Sequence, residues 1–143
     1  MADILIVDDD PGILSTLREI LELNGFTVET SANAADAIER VEKAPYLIAL
    51  LDIKLPDMEG TLLLREIRKI RPAIKCIMVT GFASLDNAIS SLNSGAAAYV
   101  MKPVNPGDLI STIREKVREI EAENEITEEK VTEWASDQLL RLS

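Results

Sequence analysis

A few side chains in this sequence are of the right type and spacing to do chemistry together: the run Asp8-Asp9-Asp10, then Asp52, Thr80 and Lys102. Each comes at the end of a short apolar run: ILIV (4–7), YLIALL (46–51), IKCIMVT (74–80) and AAYVM (97–101). An ionised carboxylate closing a greasy strand is costly unless something pairs with it. Carboxylates a few Å apart repel by ~4 kcal/mol per pair at an effective dielectric of about 20, and a cation relieves that repulsion. All-oxygen ligation favours Mg²⁺ (or Mn²⁺), which keeps waters and accepts a phosphate. Such a constellation suits phosphoryl transfer. Asp52 would attack phosphorus, while the metal, Thr80 and Lys102 divide the equatorial oxygens. Asp52 is the better nucleophile because it stands singly at a strand end, whereas Asp8 and Asp9 form a metal-holding pair.

Taken one at a time, these residues have ordinary readings as helix cap, strand end or solvated surface. What changes the odds is the framework that must position them. ILIV, FTVET (26–30), YLIALL, IKCIMVT and AAYVM are strand-like by length, β-branching and flanking breakers. Helical patterns separate them. The first follows Asp10 as N-cap and Pro11 as first helical residue, and Asn24-Gly25 stops it. The others cover Ala34 to Val41, Thr61 to Ile70, Leu85 to Leu92 with Gly95 as stop, and Asp108 to Ile120. Five βα units in succession predict an α/β fold: a five-stranded parallel sheet with helices on both faces. Ligands in such sheets sit outside the carboxyl ends of the strands. If the order is the flavodoxin-like 2-1-3-4-5, strands one and three are neighbours and the acids converge.

Composition narrows the function. The 143 residues, 47% apolar, suffice for one core, and the formal charge of −10 argues against direct binding to nucleic acid or an anionic membrane. There is no histidine, which removes Ser-His and Cys-His catalysis, His-ligated zinc and any phosphohistidine on this chain. The single cysteine, Cys76, reads as a buried strand thiol and fits a reducing cytoplasm. No signal peptide and no apolar stretch of membrane-spanning length is expected.

The motifs ILIVDDDPG, ALLDIKLPDMEG, IMVTGF and YVMKP, in that order and at those strand tips, closely resemble the receiver domain of two-component response regulators over roughly residues 2 to 121. The resemblance implies that Asp52 is the phosphoacceptor. Asp9 and Asp52 would ligate Mg²⁺ directly with the Lys54 backbone carbonyl, and Asp8 mainly through water. Thr80 and Lys102 would bind the phosphoryl group, Lys102-Pro103 would be a cis peptide, and Thr80 and Tyr99 would form the switch. Lys54 and Phe82 would flank the path of attacking water and bear on phosphate lifetime. The implied partners are a sensor histidine kinase or phosphotransfer protein, donating in trans, and a downstream protein effector. The implied role is a signalling module rather than a metabolic enzyme, since it catalyses only its own phosphotransfer and autodephosphorylation.

Residues 1–121 thus read as the receiver domain and 122–143 as an acidic helical tail or linker. Thr127 could cap a new helix bearing Val131, Trp134 and Leu142, or the fifth helix could run on. Either form would make a dimer or partner contact. The rival reading is a haloacid-dehalogenase-like phosphatase with Asp8 as nucleophile, from the Asp-x-Asp in ILIVDDD. It leaves Asp52 without a purpose and lacks a strand for a closing acidic pair.

Overall fold

The computed structural model describes residues 2–81 and 84–142. Its elements alternate along the chain: β1 (Ile4–Val7), α1 (Pro11–Leu23), β2 (Val28–Ser31), α2 (Ala34–Lys43), β3 (Ile48–Leu51), α3 (Gly60–Ile70), β4 (Lys75–Thr80), α4 (Leu85–Asn93), β5 (Ala98–Met101) and α5 (Pro106–Leu142). The strands pair in parallel in the order β2-β1-β3-β4-β5, as expected.

The two-residue period of the strands divides the core between the two faces of the sheet. Leu5 and Val7 of β1, Ala49 and Leu51 of β3, and Cys76 and Met78 of β4 face one way, onto Ala37 and Val41 of α2 and Leu63, Leu64 and Ile67 of α3. Ile4, Ile6, Ile48, Leu50, Ile77 and Val79 face the other way, onto Leu17 and Leu21 of α1 and Leu109 and Ile113 of α5. Burial on both faces is why these strands read as continuous apolar runs. Cys76 is among the buried residues, and desolvation pushes its thiol up to about 12, which makes it an inert packing residue.

Local signals set the helix ends. The Asp10 carboxylate accepts the Gly12 N–H at 2.8 Å and the Ile13 N–H at 3.3 Å, with Pro11 at the first helical position. Gly25 and Gly95, with φ of +89° and +99°, turn the chain out of α1 and α4. Several boundaries differ from the sequence reading by one or two residues, among them the starts of β3, α3 and α5. β3 begins at Ile48, because Leu47 is exposed and the Tyr46 phenol turns aside to hydrogen-bond Glu29. α3 begins at Gly60. α5 begins at Pro106, where the Asn105 side chain accepts the Asp108 N–H at 3.1 Å.

The larger difference is at the C-terminus. α5 continues without a break to Leu142, so no separate helix capped by Thr127 forms. The expected stripe of Val131, Trp134 and Leu142 lies outside the described side chains. No helix among the described residues is long and apolar enough to cross a membrane.

Candidate functional site

The parallel ladders run one residue past the strands and set the heights of the strand-tip residues. Asp8 N–H donates to Ser31 O at 3.1 Å, Asp52 N–H to Val7 O at 3.0 Å, and Lys102 N–H to Thr80 O at 2.9 Å. Asp8 and Asp52 therefore end adjacent strands at nearly the same level, and Asp9 follows on the same rim. One carboxylate oxygen from each of Asp8, Asp9 and Asp52 falls within 4.8 Å of the others. Asp8 and Asp52 are buried and Asp9 is exposed, so the cluster is a cup with one open wall.

Lys102 closes the opposite side. Its Nζ lies 2.7 Å from Asp8 Oδ2 and 3.4 Å from Asp52 Oδ2. Asp8 Oδ1 also accepts the Asp10 N–H at 2.9 Å. Desolvation opposes the charge on Lys102, but the hydrogen bond to Asp8 and the charges of Asp52 and Asp8 outweigh it and raise its pKa. Asp52 is pushed the same way: burial raises its pKa, the Lys102 charge offsets part of this, and the neighbouring Asp8 adds to it. Lys102 alone does not fully neutralise the pair.

Asp52 Oδ1 tests whether these residues fit a metal ion. It is buried and no hydrogen bond of standard geometry reaches it, although the Ile53 N–H is near enough to favour the charged carboxylate, while Oδ2 faces Lys102. A buried carboxylate oxygen without a well-aligned donor, beside two further carboxylates, is a fit for a hard, oxygen-seeking cation.

Thr80 is fully buried at the tip of β4, and the Lys102-Pro103 bond is cis. Tyr99 sits on β5 opposite Met78, with its ring against the core and its hydroxyl buried. No hydrogen bond of standard geometry reaches that hydroxyl. Desolvation raises the phenol pKa, and the Ser84 backbone is near enough to offset this in part. Lys54 is exposed and pairs with Glu59 through an isolated antiparallel bridge. Phe82 lies outside the described residues.

Comparisons with known proteins place the fold in a family. Residues 4–114 match the model of the response regulator receiver domain. The chain belongs to the response regulator receiver domain family. Transcriptional regulatory protein ZraR of Klebsiella oxytoca is 33% identical over 136 residues, which are 95% of this chain and 30% of that protein. The alginate biosynthesis transcriptional regulatory protein AlgB of Pseudomonas syringae pv. tomato is 33% identical over 90% of this chain and 29% of its own. Among solved structures, a CheY-like receiver domain protein from Methanospirillum hungatei JF-1 is 55% identical with a TM-score of 0.81, covering 84% of this chain and 96% of that one.

These matches correct one expectation and leave another without support. The chain spans about 30% of the length of the curated relatives it matches, and those relatives are named as transcriptional regulators. The exclusion of nucleic acid rested on a charge of −10, which describes these residues alone. It does not extend to a whole regulator, whose DNA-contacting charge can reside elsewhere. The phosphatase reading finds no support, and Asp8, its nucleophile, is already held by Lys102 and the Asp10 N–H.

Two receiver-domain residues escaped the sequence reading. A Cβ on Gly60 would come within 1.9 Å of the Asp52 carbonyl oxygen, so only glycine lets α3 begin against the site. Asp57 reaches back to α2, where its two oxygens accept the Ala34 and Ala35 N–H groups. The ALLDIKLPDMEG motif contains Gly60 without marking its close approach to the Asp52 carbonyl. The partners of Asp57 lie 22 and 23 residues upstream, where no local pattern connects them.

Proposed function

We propose that this receiver domain works as a switch that takes a phosphoryl group on Asp52 from a phosphohistidine on a separate kinase or phosphotransfer protein. The observation that carries the reading is the buried Asp52 Oδ1 without a well-aligned donor, set among Asp8, Asp9 and Lys102. An Asp52 oxygen forms the O–P bond as the N–P bond of the donor breaks. The imidazole nitrogen leaves with the electron pair and takes a proton. Lys102, which bridges Asp8 and Asp52, turns to a phosphoryl oxygen, and the Thr80 hydroxyl donates to another.

Asp8, Asp9, Asp52 and the Lys54 carbonyl would hold Mg²⁺, which supplies charge neutralisation for the phosphoryl oxygens when bound. Tyr99 would follow Thr80 as the switch aromatic, reshaping the face of α4, β5 and α5 for a protein effector. Residues 1–121 form the switching unit, and 122–143 extend from it as a dimer or partner contact. The cytoplasm is the proposed compartment, supported by the reduced, buried Cys76.

Incubation with acetyl phosphate and Mg²⁺ followed by intact-mass measurement tests this reading. Wild type should gain one phosphoryl group, and Asp52→Asn none. Equal labelling of both would overturn the assignment.

A further inference from the structure

The loop from Ile53 to Glu59 joins the acid site to α3, and it is tied at both its base and its tip. At the base, the Gly60 N–H donates to Ile53 O at 2.6 Å and Lys54 bridges Glu59. Gly60 presses on the Asp52 carbonyl with no room for a side chain. At the tip, Asp57 Oδ1 accepts the Ala34 N–H at 2.9 Å and Oδ2 the Ala35 N–H at 2.9 Å. These two N–H groups begin α2, a helix fixed to the sheet by the fully buried Ala34, Ala37 and Val41. α2 does not depend on Asp57 for its own end, because the Asn33 side chain already accepts the Asp36 N–H at 2.8 Å. The helix thus carries two independent caps, one local and one supplied by the loop.

We propose that Asp57 is a positioning residue that sets the Mg²⁺ affinity of the acid site by clipping the loop tip to α2. The inference rests on the receiver reading above, in which the Lys54 carbonyl is a metal ligand. Lys54 stands three residues from Asp57 in the same loop. With the tip released, the loop is held at its base alone, and the Lys54 carbonyl in that base loses the support the clip adds to it. A ligand held loosely by its supporting shell costs affinity even when every ligand is present. The clip also persists under ordinary conditions, since the Ala34 and Ala35 N–H groups hold the Asp57 carboxylate below its usual pKa. Its negative charge suits the N-terminus of α2.

The test compares Asp57→Ala with Asn33→Ala in the full chain. The readouts are the Mg²⁺ dissociation constant from amide chemical-shift titration and stability from urea unfolding. Asp57→Ala should weaken Mg²⁺ about tenfold, the scale of lost outer-shell support. Asn33→Ala removes a cap from the same helix end and should leave Mg²⁺ affinity within about twofold, since it releases no part of the ligand loop. Asp57→Asn keeps one carbonyl acceptor for the two N–H groups and should fall between wild type and Asp57→Ala. If Asp57→Ala does not fold, Asp57→Asn against Asn33→Ala makes the same comparison. Equal Mg²⁺ affinity in the Asp57 and Asn33 variants would make Asp57 a helix cap only and overturn the proposal. A wild-type chain that binds no Mg²⁺ would instead overturn the receiver reading, and this inference with it.

Discussion

The rim of β1 and β3 and the edge formed by α4 and β5 are built to different standards. Beneath the acids, α2 and α3 present Ala34, Ala37, Val41, Leu63, Leu64 and Ile67, each fully buried. The described side chains of α4 include no buried apolar residue. Among its described side chains Ser91 is the buried one, with its hydroxyl unpartnered, while Ile89 and Leu92 face solvent at 47% and 56% exposure. β5 is half-buried throughout and ends on an exposed Met101. The acids sit on a hard frame and the neighbouring edge is thinly held. That division suits the proposed switch, in which geometry at the acids is kept while an edge shifts at small cost.

Truncation in the two regions should break the comparison most openly. Leu64→Ala removes a fully buried side chain and should cost about 2–5 kcal/mol in urea unfolding. Leu92→Ala on α4 should stay within about 0.5 kcal/mol. Equal losses would mean that α4 is as firmly packed as α3.

Charge removal at the site comes next in size. Lys102→Met leaves Asp8 and Asp52 buried without their cation and should cost about 3 kcal/mol at neutral pH. Adding millimolar Mg²⁺ should return part of that loss, and a Mg²⁺-insensitive Lys102→Met would count against a shared cation site.

A smaller effect at the site has the opposite sign. Burial raises the Asp52 pKa, so the folded state binds that proton more tightly than the unfolded chain. The carboxylate therefore destabilises the fold above its folded pKa, and this penalty vanishes below the unfolded value near 3.8. Asp52→Asn should stabilise the protein by on the order of 1 kcal/mol at pH 7, and the gain should disappear as pH falls through the raised pKa. Urea unfolding at pH 7 and again below pH 3.8 checks it.

Much of this was legible in the sequence, for reasons visible residue by residue. Runs such as ILIV report strands buried on both faces. Asp10-Pro11 and Asn24-Gly25 report helix ends, and five alternations of strand and helix leave few topologies. The acids, Thr80 and Lys102 could be placed on one rim because strand tips of a parallel sheet share an edge. Contacts across sequence distance were not legible. Gly60 against the Asp52 carbonyl, Asp57 on α2, and Arg65 reaching Ser94 at 3.2 Å depend on how helices pack, which no local period encodes. The continuous α5 was one of two forms open to the sequence, since polar Asn124 and Thr127 neither stop a helix nor demand one.

The proposed assignment of the phosphoryl group to Asp52 alone can be read directly from the chain. Borohydride reduces an aspartyl phosphate to homoserine, so the protein would be phosphorylated with acetyl phosphate and Mg²⁺, reduced, and mapped by peptide mass spectrometry. The account predicts homoserine at position 52 and nowhere else. Homoserine at position 8 or 9, or phosphate retained on a hydroxyl such as Thr80, would contradict it.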